Sequence, residues 1–432
     1  MLRACVLCVL ACAAAAAADA RWATFLALPN ITSIETTVTT GDERYLDVLY
    51  NGEESRETFL ITPDLTLDDV VLPEGLRKFS LTRVNLAALP DGFQWPSTVD
   101  TIDLSSNALT SVPTDLMWPD ELKTLSLANN HLADCVANLP ASVTSLDLGE
   151  NELSCIDQCE WPDALEALTL SGNPLNAVEP TQSWPAQLKE LRMDNTQLDS
   201  VPPNLPSCLQ QLHLTNNHIA AFPKNLPSSL ESLSLSYNSI KSVPAALDRF
   251  PNLSVLQLDN NQLTSLPAKL ALPTGFRMLS LSNNMLKSLP ANCNSWLANI
   301  EISIELDGNQ LTALPSNVQF PDETNLANNK IKVLQNMALP KTFRMANNPL
   351  ERISRVRVAD GSFWQTSPAT LKSFSMDDAS FAVLENMMYG FSSIEWTVDA
   401  KSAAAACKAE SGVLKPLNDG KLRVCVVPGA RR

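Results

Sequence analysis

The 432-residue sequence is poor in glycine, with 13, and in histidine, with three. Set against 29 prolines, so few glycines exclude a flexible low-complexity chain and point to many rigid turns. Positive charge is also short: 31 Lys and Arg face 47 Asp and Glu, for a formal net charge of −16. A surface of that sign does not suit nucleic acid, heparin-like polymers or an anionic membrane, so no nucleic-acid partner is expected. Beyond the first 20 residues no stretch approaches the roughly 20 apolar residues of a spanning helix, so no membrane span is expected. The phosphate-loop, H-E-x-x-H, G-x-S-x-G and kinase motifs are all missing. His131, His213 and His218 lie in no metal or triad pattern. These absences argue against an enzyme and against any cofactor or metal.

What the chain does have begins at its N-terminus. Met1, Leu2 and Arg3 precede an apolar run from Ala4 to Ala18, and Ala18-Asp19-Ala20 is a small-x-small cleavage pattern. Residues 1–20 therefore read as a secretory signal, and the expected destination is extracellular. An uncleaved anchor is the alternative, but the run is short for a span.

The rest is one unit multiplied. Leu209, Leu212 and Leu214 are followed by Asn217, Ile219 and Phe222. Leu230, Leu233, Leu235, Asn238, Ile240 and Val243 repeat the pattern, as do Leu253, Leu256, Leu258, Asn261, Leu263 and Leu266. Aligned on the Asn, the series runs Val84, Asn107, Asn130, Asn151, Asn173, Thr196, Asn217, Asn238, Asn261, Asn284, Asn309, Asn329 and Asn348. L-x-L is a short strand with one buried face. One unit cannot bury that face alone, so units must stack. The Asn amide can donate to and accept from the backbone of adjoining coils. Closing segments such as Trp95-Pro96, Trp118-Pro119, Trp161-Pro162, Trp184-Pro185 and Leu205-Pro206 disfavour a long helix after each turn. The tryptophans share a position with Leu in other units, which favours packing over a ligand stripe.

This pattern resembles the leucine-rich-repeat family over residues 76–353, with about 13 repeats. The resemblance implies an α/β solenoid, a leucine-rich-repeat horseshoe with short parallel concave strands and mostly extended or 3₁₀ convex coils. The strongest likeness is to extracellular members, including ectodomains of leucine-rich-repeat receptor-like proteins and kinases, here without the membrane span or the kinase. The phrasing L-P-x-S-L-x-x-L at Leu226–Leu233, and at Leu205–Leu212 with Cys208 in the Ser place, also resembles secreted bacterial effectors, some of which carry a ubiquitin-ligase domain with a nucleophilic Cys. The tail segments Cys407-Lys408-Ala409 and Cys425-Val426-Val427 lack the Cys-x-Asp of that family, and Cys155-Ile156-Asp157 lies inside a repeat.

The ends differ from the middle. Residues 21–75 read as an N-terminal cap, with strands at Tyr45–Tyr50 and Glu57–Ile61 and a half-repeat at Leu65, Leu67, Val70 and Leu72. Residues 354–432 read as a C-terminal cap. Within it, Arg355–Ala369 reads as an insertion. Leu371, Phe374, Met376, Phe381 and Leu384 form a degenerate repeat, and Phe391, Ile394, Trp396 and Val398 a strand. Ala403–Ala409 reads as a helix and Leu422–Val427 as a strand, stapled by a Cys407–Cys425 disulfide. Near the far end of the repeats, Thr324 stands in a Leu slot, and Glu301 suggests a bulge around Ile300–Leu306. After loss of a signal seven cysteines remain, an odd number. One bridge among Cys135, Cys155 and Cys159 fits their neighbouring repeats; Cys135 packed and free is the alternative. Pairing of Cys208 and Cys293 stays open. Asn30 and Asn252 head N-x-[ST] acceptor patterns for glycosylation.

Alternation of side chains sends the residue between the two core leucines outward in every unit. The long and ring-bearing groups gather in the sixth to ninth repeats: Arg192, Asp194, Gln211, His213, Ser234, Tyr237, Gln257 and Asp259. Tyr and Arg are favoured at binding hot spots. The expected function is a secreted, non-catalytic recognition protein binding a protein or glycan ligand there. A structural or cell-wall-associated protein with no discrete ligand is the alternative.

Overall fold

The computed structural model describes residues 22–40, 43–52, 55–62, 65–386, 396–417 and 422–428. The signal and its cleavage site, Phe391 and Ile394 lie outside the described residues. The chain divides into two compact units, Met1–His213 and Leu214–Arg432.

In the first unit seven three-residue strands run parallel, each in register with the next. They are Lys78–Ser80, Thr101–Asp103, Thr124–Ser126, Ser145–Asp147, Ala167–Thr169, Glu190–Arg192 and Gln211–His213. The middle residue of each is an apolar core residue, and Phe79, Ile102, Leu125, Leu168, Leu191 and Leu212 are at most 1% exposed. The second unit continues the same plan with Ser232–Ser234, Val255–Gln257, Phe276–Ser280, Ile300–Glu305, Glu323–Asn325, Thr342–Arg344 and Phe363–Gln365. The architecture is a parallel-strand solenoid of the leucine-rich-repeat type with little helix.

Each strand ends in the same turn. The residue before the ladder Asn takes a left-handed backbone in all thirteen units, from Arg83 at φ 57° to Asn347 at φ 57°. Nine of these thirteen are Asn or Gly, the residues that tolerate this region best. The ladder Asn then ties the turn to the preceding coil. Asn130 Oδ1 accepts from the Leu109 amide at 3.0 Å, and its Nδ2 donates to the Leu104 and Leu127 carbonyls at 3.1 and 3.0 Å. Buried backbone groups are thereby satisfied in the coils that carry the Asn. In the two units without Asn, at Val84 and Thr196, the next residue also turns left-handed: Asn85 at φ 57° and Gln197 at φ 63°.

The Pro of each closing pair opens a tight turn. The carbonyls of Pro96, Pro119, Pro140, Pro162, Pro185 and Pro206 each accept from the amide three residues on. That third residue is the first core Leu or Val of the next unit, buried in every case. Among the described residues the back of the repeats carries one helix, Asn294–Leu297. Trp95, Trp118 and Trp184 are buried, and Trp95 stacks on Trp118 with centroids 6.1 Å apart, so the tryptophans are packing elements.

Thr324 fits its core slot because its hydroxyl donates to the Pro321 carbonyl at 3.0 Å. The pairing of Phe276–Ser280 with Ile300–Glu305 carries a register shift, which puts Glu301 outside while Ile300 and Ile304 stay in the core. The ladder also runs on past residue 353. Phe363–Gln365 pairs with Thr342–Arg344 inside the stretch read as an insertion, and Trp364 fills the Leu slot.

At the start of the chain, Ile31–Val38 lies parallel to Lys78–Ser80 and antiparallel to Arg44–Tyr50, which pairs in turn with Ser55–Ile61. At the far end a second sheet joins Val333–Gln335, Arg352–Val356, Ser373–Asp377 and Leu422–Val427 in parallel, with Val413–Leu417 antiparallel at its edge. Phe381 and Leu384 belong to a helix, Asp378–Asn386, where a spacing of three puts both on the buried face. The Ala-rich segment Ala400–Ala409 is helical, with Asp399 as its N-cap accepting from the Ser402 amide. Cys407 on this helix is bonded to Cys425 on the strand Leu422–Val427.

Candidate functional site

The outward residues of the ladder form a face in each unit. On the first unit, His213 stands beside Arg192, and Gln211 beside Glu190, in adjoining strands. Arg192 Nε donates to Glu190 Oε1 at 2.5 Å, so its guanidinium is held along its own strand. Asp194 lies two residues on and is half-buried. Burial pushes the His213 imidazole below the usual histidine range; the Arg192 cation pushes the same way, against Asp194 and Glu190. Its Nε2 is shielded and makes no hydrogen bond among the described residues. Burial raises the Asp147 carboxyl, and nearby Asp103 adds to this; the Gly149 amide and Arg192 oppose it. His131 and His218 are exposed turn residues, the former bonded to Glu152 at 3.0 Å.

On the second unit, Ser234 pairs in register with Gln257. Ser234 is buried and its hydroxyl shares a 2.8 Å hydrogen bond with Thr215, so it is packed away from any ligand. Gln257 is half-buried. Asp259 is committed internally: one oxygen accepts from the Ser280 hydroxyl and the Ser282 amide, the other from the Ser236 hydroxyl. Tyr237 does not lie in a strand slot. It is the left-handed residue of its turn, at φ 54°, with 56% of its surface exposed and its amide donating to the Asp259 carbonyl at 2.8 Å.

The column two residues before the ladder position contributed only Asp194 and Asp259 to the sequence expectation. It holds Ser236, Asp259, Ser282 and Asp307. Asp307 accepts from the Ser282 hydroxyl and from Asn325 Nδ2. Beside it, burial raises the Glu305 carboxyl, and Asp307 and Asp259 add to the rise against Asn325 and Arg344. The available signal was the Ser/Asp alternation itself, hidden by Ala and Gly in the same column elsewhere.

Among the described residues no group of three or more His, Cys, Asp or Glu could hold a metal ion, and no helix is long and apolar enough to cross a membrane. Asn30 and Asn252 are both exposed.

Residues 207–263 match the family model described as leucine rich repeat. No curated protein matches the sequence. Among solved structures, the leucine-rich effector protein YopM from Yersinia pestis is 22% identical, with 74% of this chain and 88% of that one covered and a TM-score of 0.51. YopM from Yersinia enterocolitica is 22% identical over 74% of this chain and 77% of that one, at a TM-score of 0.50. A leucine-rich-repeat protein of Leptospira interrogans is 22% identical over 76% and 72%, at 0.47. At this identity the likeness is one of fold. That fold is generally a non-catalytic protein-interaction scaffold.

Proposed function

We propose that this leucine-rich-repeat protein is a secreted, non-catalytic recognition protein that binds a protein or glycan ligand on its ladder face, with Tyr237 as an anchor. One observation carries the reading. Tyr237 holds a left-handed backbone at a position where nine of thirteen units use Asn or Gly, and it presents its ring to solvent. A bulky residue in that region costs on the order of 1–3 kcal/mol, and such strain clusters at ligand sites. An exposed aromatic on a rigid turn is also a favoured hot-spot element. Asp259 and Ser234, tied into the structure, support the surface without reaching a ligand. Gln257, half-buried in the same unit as Tyr237, offers a polar contact beside it. Secretion follows from the N-terminal apolar run and the small-x-small pattern.

The test is the Tyr237→Asn variant against a partner captured from extracellular fluid. Asn suits the backbone, so the variant should be more stable by about 1 kcal/mol while binding at least tenfold more weakly. Gln257→Ala should weaken binding less. Unchanged affinity in both, with loss from substitutions at the back of the repeats, would move the site there.

A further inference from the structure

Two disulfides lie among the described residues, in contrasting settings. Cys407–Cys425 is sealed: both cysteines are 3% exposed and pack in one apolar cluster with Val427 and Leu414. A Cβ on Gly412 would come 2.5 Å from Cys425 Sγ, which leaves no room for an attacking group. Cys135–Cys159 is different. It bridges two neighbouring coils, and Cys135 lines a cavity of about 500 Å³ that Cys155 also lines. Cys155 is unpaired and exposed. Of the other free thiols, Cys293 is buried, and the half-buried Cys208 donates to the Ala186 and Leu188 carbonyls at 3.1 and 3.3 Å. Cys155 is thus the one exposed free cysteine among the described residues, and it shares its cavity with one cysteine of a disulfide.

We infer that Cys135, Cys155 and Cys159 form a thiol–disulfide exchange site. The Cys155 thiol gives its proton to solvent, and the thiolate attacks Cys135 Sγ. A Cys135–Cys155 bond forms as the Cys135–Cys159 bond breaks, and Cys159 leaves as a thiolate that takes a proton from solvent. The step is redox-neutral and needs no co-reactant. Cys135 is the residue attacked because it, and not Cys159, lines the cavity with Cys155. The leaving Cys159 sits in the turn closed by its amide and the Ile156 carbonyl at 3.0 Å, just before Trp161-Pro162. Exchange therefore moves the tether from that turn to the residue before Ile156, a buried core position. The exposed thiol that results is on Cys159 in one isomer and on Cys155 in the other. The thiolate, not the thiol, is the nucleophile, so the exchange is base-promoted.

The experiment uses the full purified chain without reductant, held at pH 8, acid-quenched, alkylated and mapped by non-reducing peptide digestion. Label shared between Cys155 and Cys159, with both Cys135–Cys159 and Cys135–Cys155 peptides present, is the expected result. Cys155→Ser should leave Cys159 unlabelled. In Cys159→Ser, oxidised glutathione should drive formation of the Cys135–Cys155 link in a chain whose circular dichroism is unchanged. Label confined to one of the two cysteines, or a Cys159→Ser chain in which Cys135 and Cys155 both stay alkylatable after oxidation, overturns the proposal.

Discussion

At its N-terminal end the chain turns back on itself. Ile31–Val38 extends the ladder by one parallel strand, and two antiparallel strands follow it. The last of the core there is held by a buried carboxylate: Asp47 accepts from Arg56, from Thr58 at 2.7 Å and from Thr37 at 3.1 Å. At its C-terminal end the chain adds a second, mostly parallel sheet, two helices and a disulfide. Both ends meet the same problem, an open apolar coil that must be covered. Reversing strand direction covers it with local hydrogen bonds. Extending the coils covers it with a helix, Ala400–Ala409, that a covalent tie holds to its strand.

Breaking that tie should have the largest effect. Cys407→Ser opens a loop whose ends are 18 residues apart and should destabilise the C-terminal end by about 3 kcal/mol. Hydrogen exchange should show protection lost over Ser373–Asp377 and Leu422–Val427. Retained protection there would mean that packing alone closes this end.

Asp47→Asn should cost about 2 kcal/mol, since hydrogen bonds to a charged group are the stronger kind. Burial pushes the Asp47 carboxyl up, but the bonds from Arg56, Thr58 and Thr37 outweigh it and hold it below its usual range. Its contribution is therefore complete above the unfolded carboxyl value of about 4, and is lost as pH falls through the lower folded value. Acid titration followed by circular dichroism should show the wild-type end losing stability in that range and the Asn variant a flatter profile.

The smallest effect sharpens the comparison from the other side. Val413, at the edge of the second sheet, is 65% exposed. Val413→Lys should change stability by no more than about 0.5 kcal/mol. A loss above 1 kcal/mol in chemical denaturation would show that this edge is covered in solution.

The leucine columns, the ladder Asn and the Pro-closed turns were legible because each rests on one residue type doing one job at a fixed spacing. The Cys407–Cys425 bond was legible because no other cysteine lies nearby in the tail. The choice of Cys159 over Cys155 as partner of Cys135 was not, since coils of unequal length leave both within reach. Phe363–Gln365 escaped because Trp replaces Leu and no Asn follows it. The left-handed column was visible only as Asn-Asn and Gly-Asn pairs, and Arg83, Ser106, Glu150 and Tyr237 interrupt it. The same alternation that placed Arg192 and His213 on the ladder face misplaced Tyr237, because the strand ends at Ser234 and the period of two ends with it. Ser234 and Asp259 lie in outward columns, but their hydrogen-bond partners come from other coils and leave no trace in the local sequence.

In each of the thirteen units the core residue in the strand register stands five places before its ladder residue, from Phe79 and Val84 to Phe343 and Asn348, with Leu279 and Ile304 in the two longer strands. Whole units, by contrast, vary from 25 residues between Asn284 and Asn309 to 19 between Asn329 and Asn348. All the slack is on one side. An insertion or deletion in the back leaves the strand pairing untouched, whereas one within those five positions turns the core outward. Genetic duplication or loss of a complete unit conserves the frame at both junctions, so copy number is a quantity this chain can change in a single step while each local sequence stays the same.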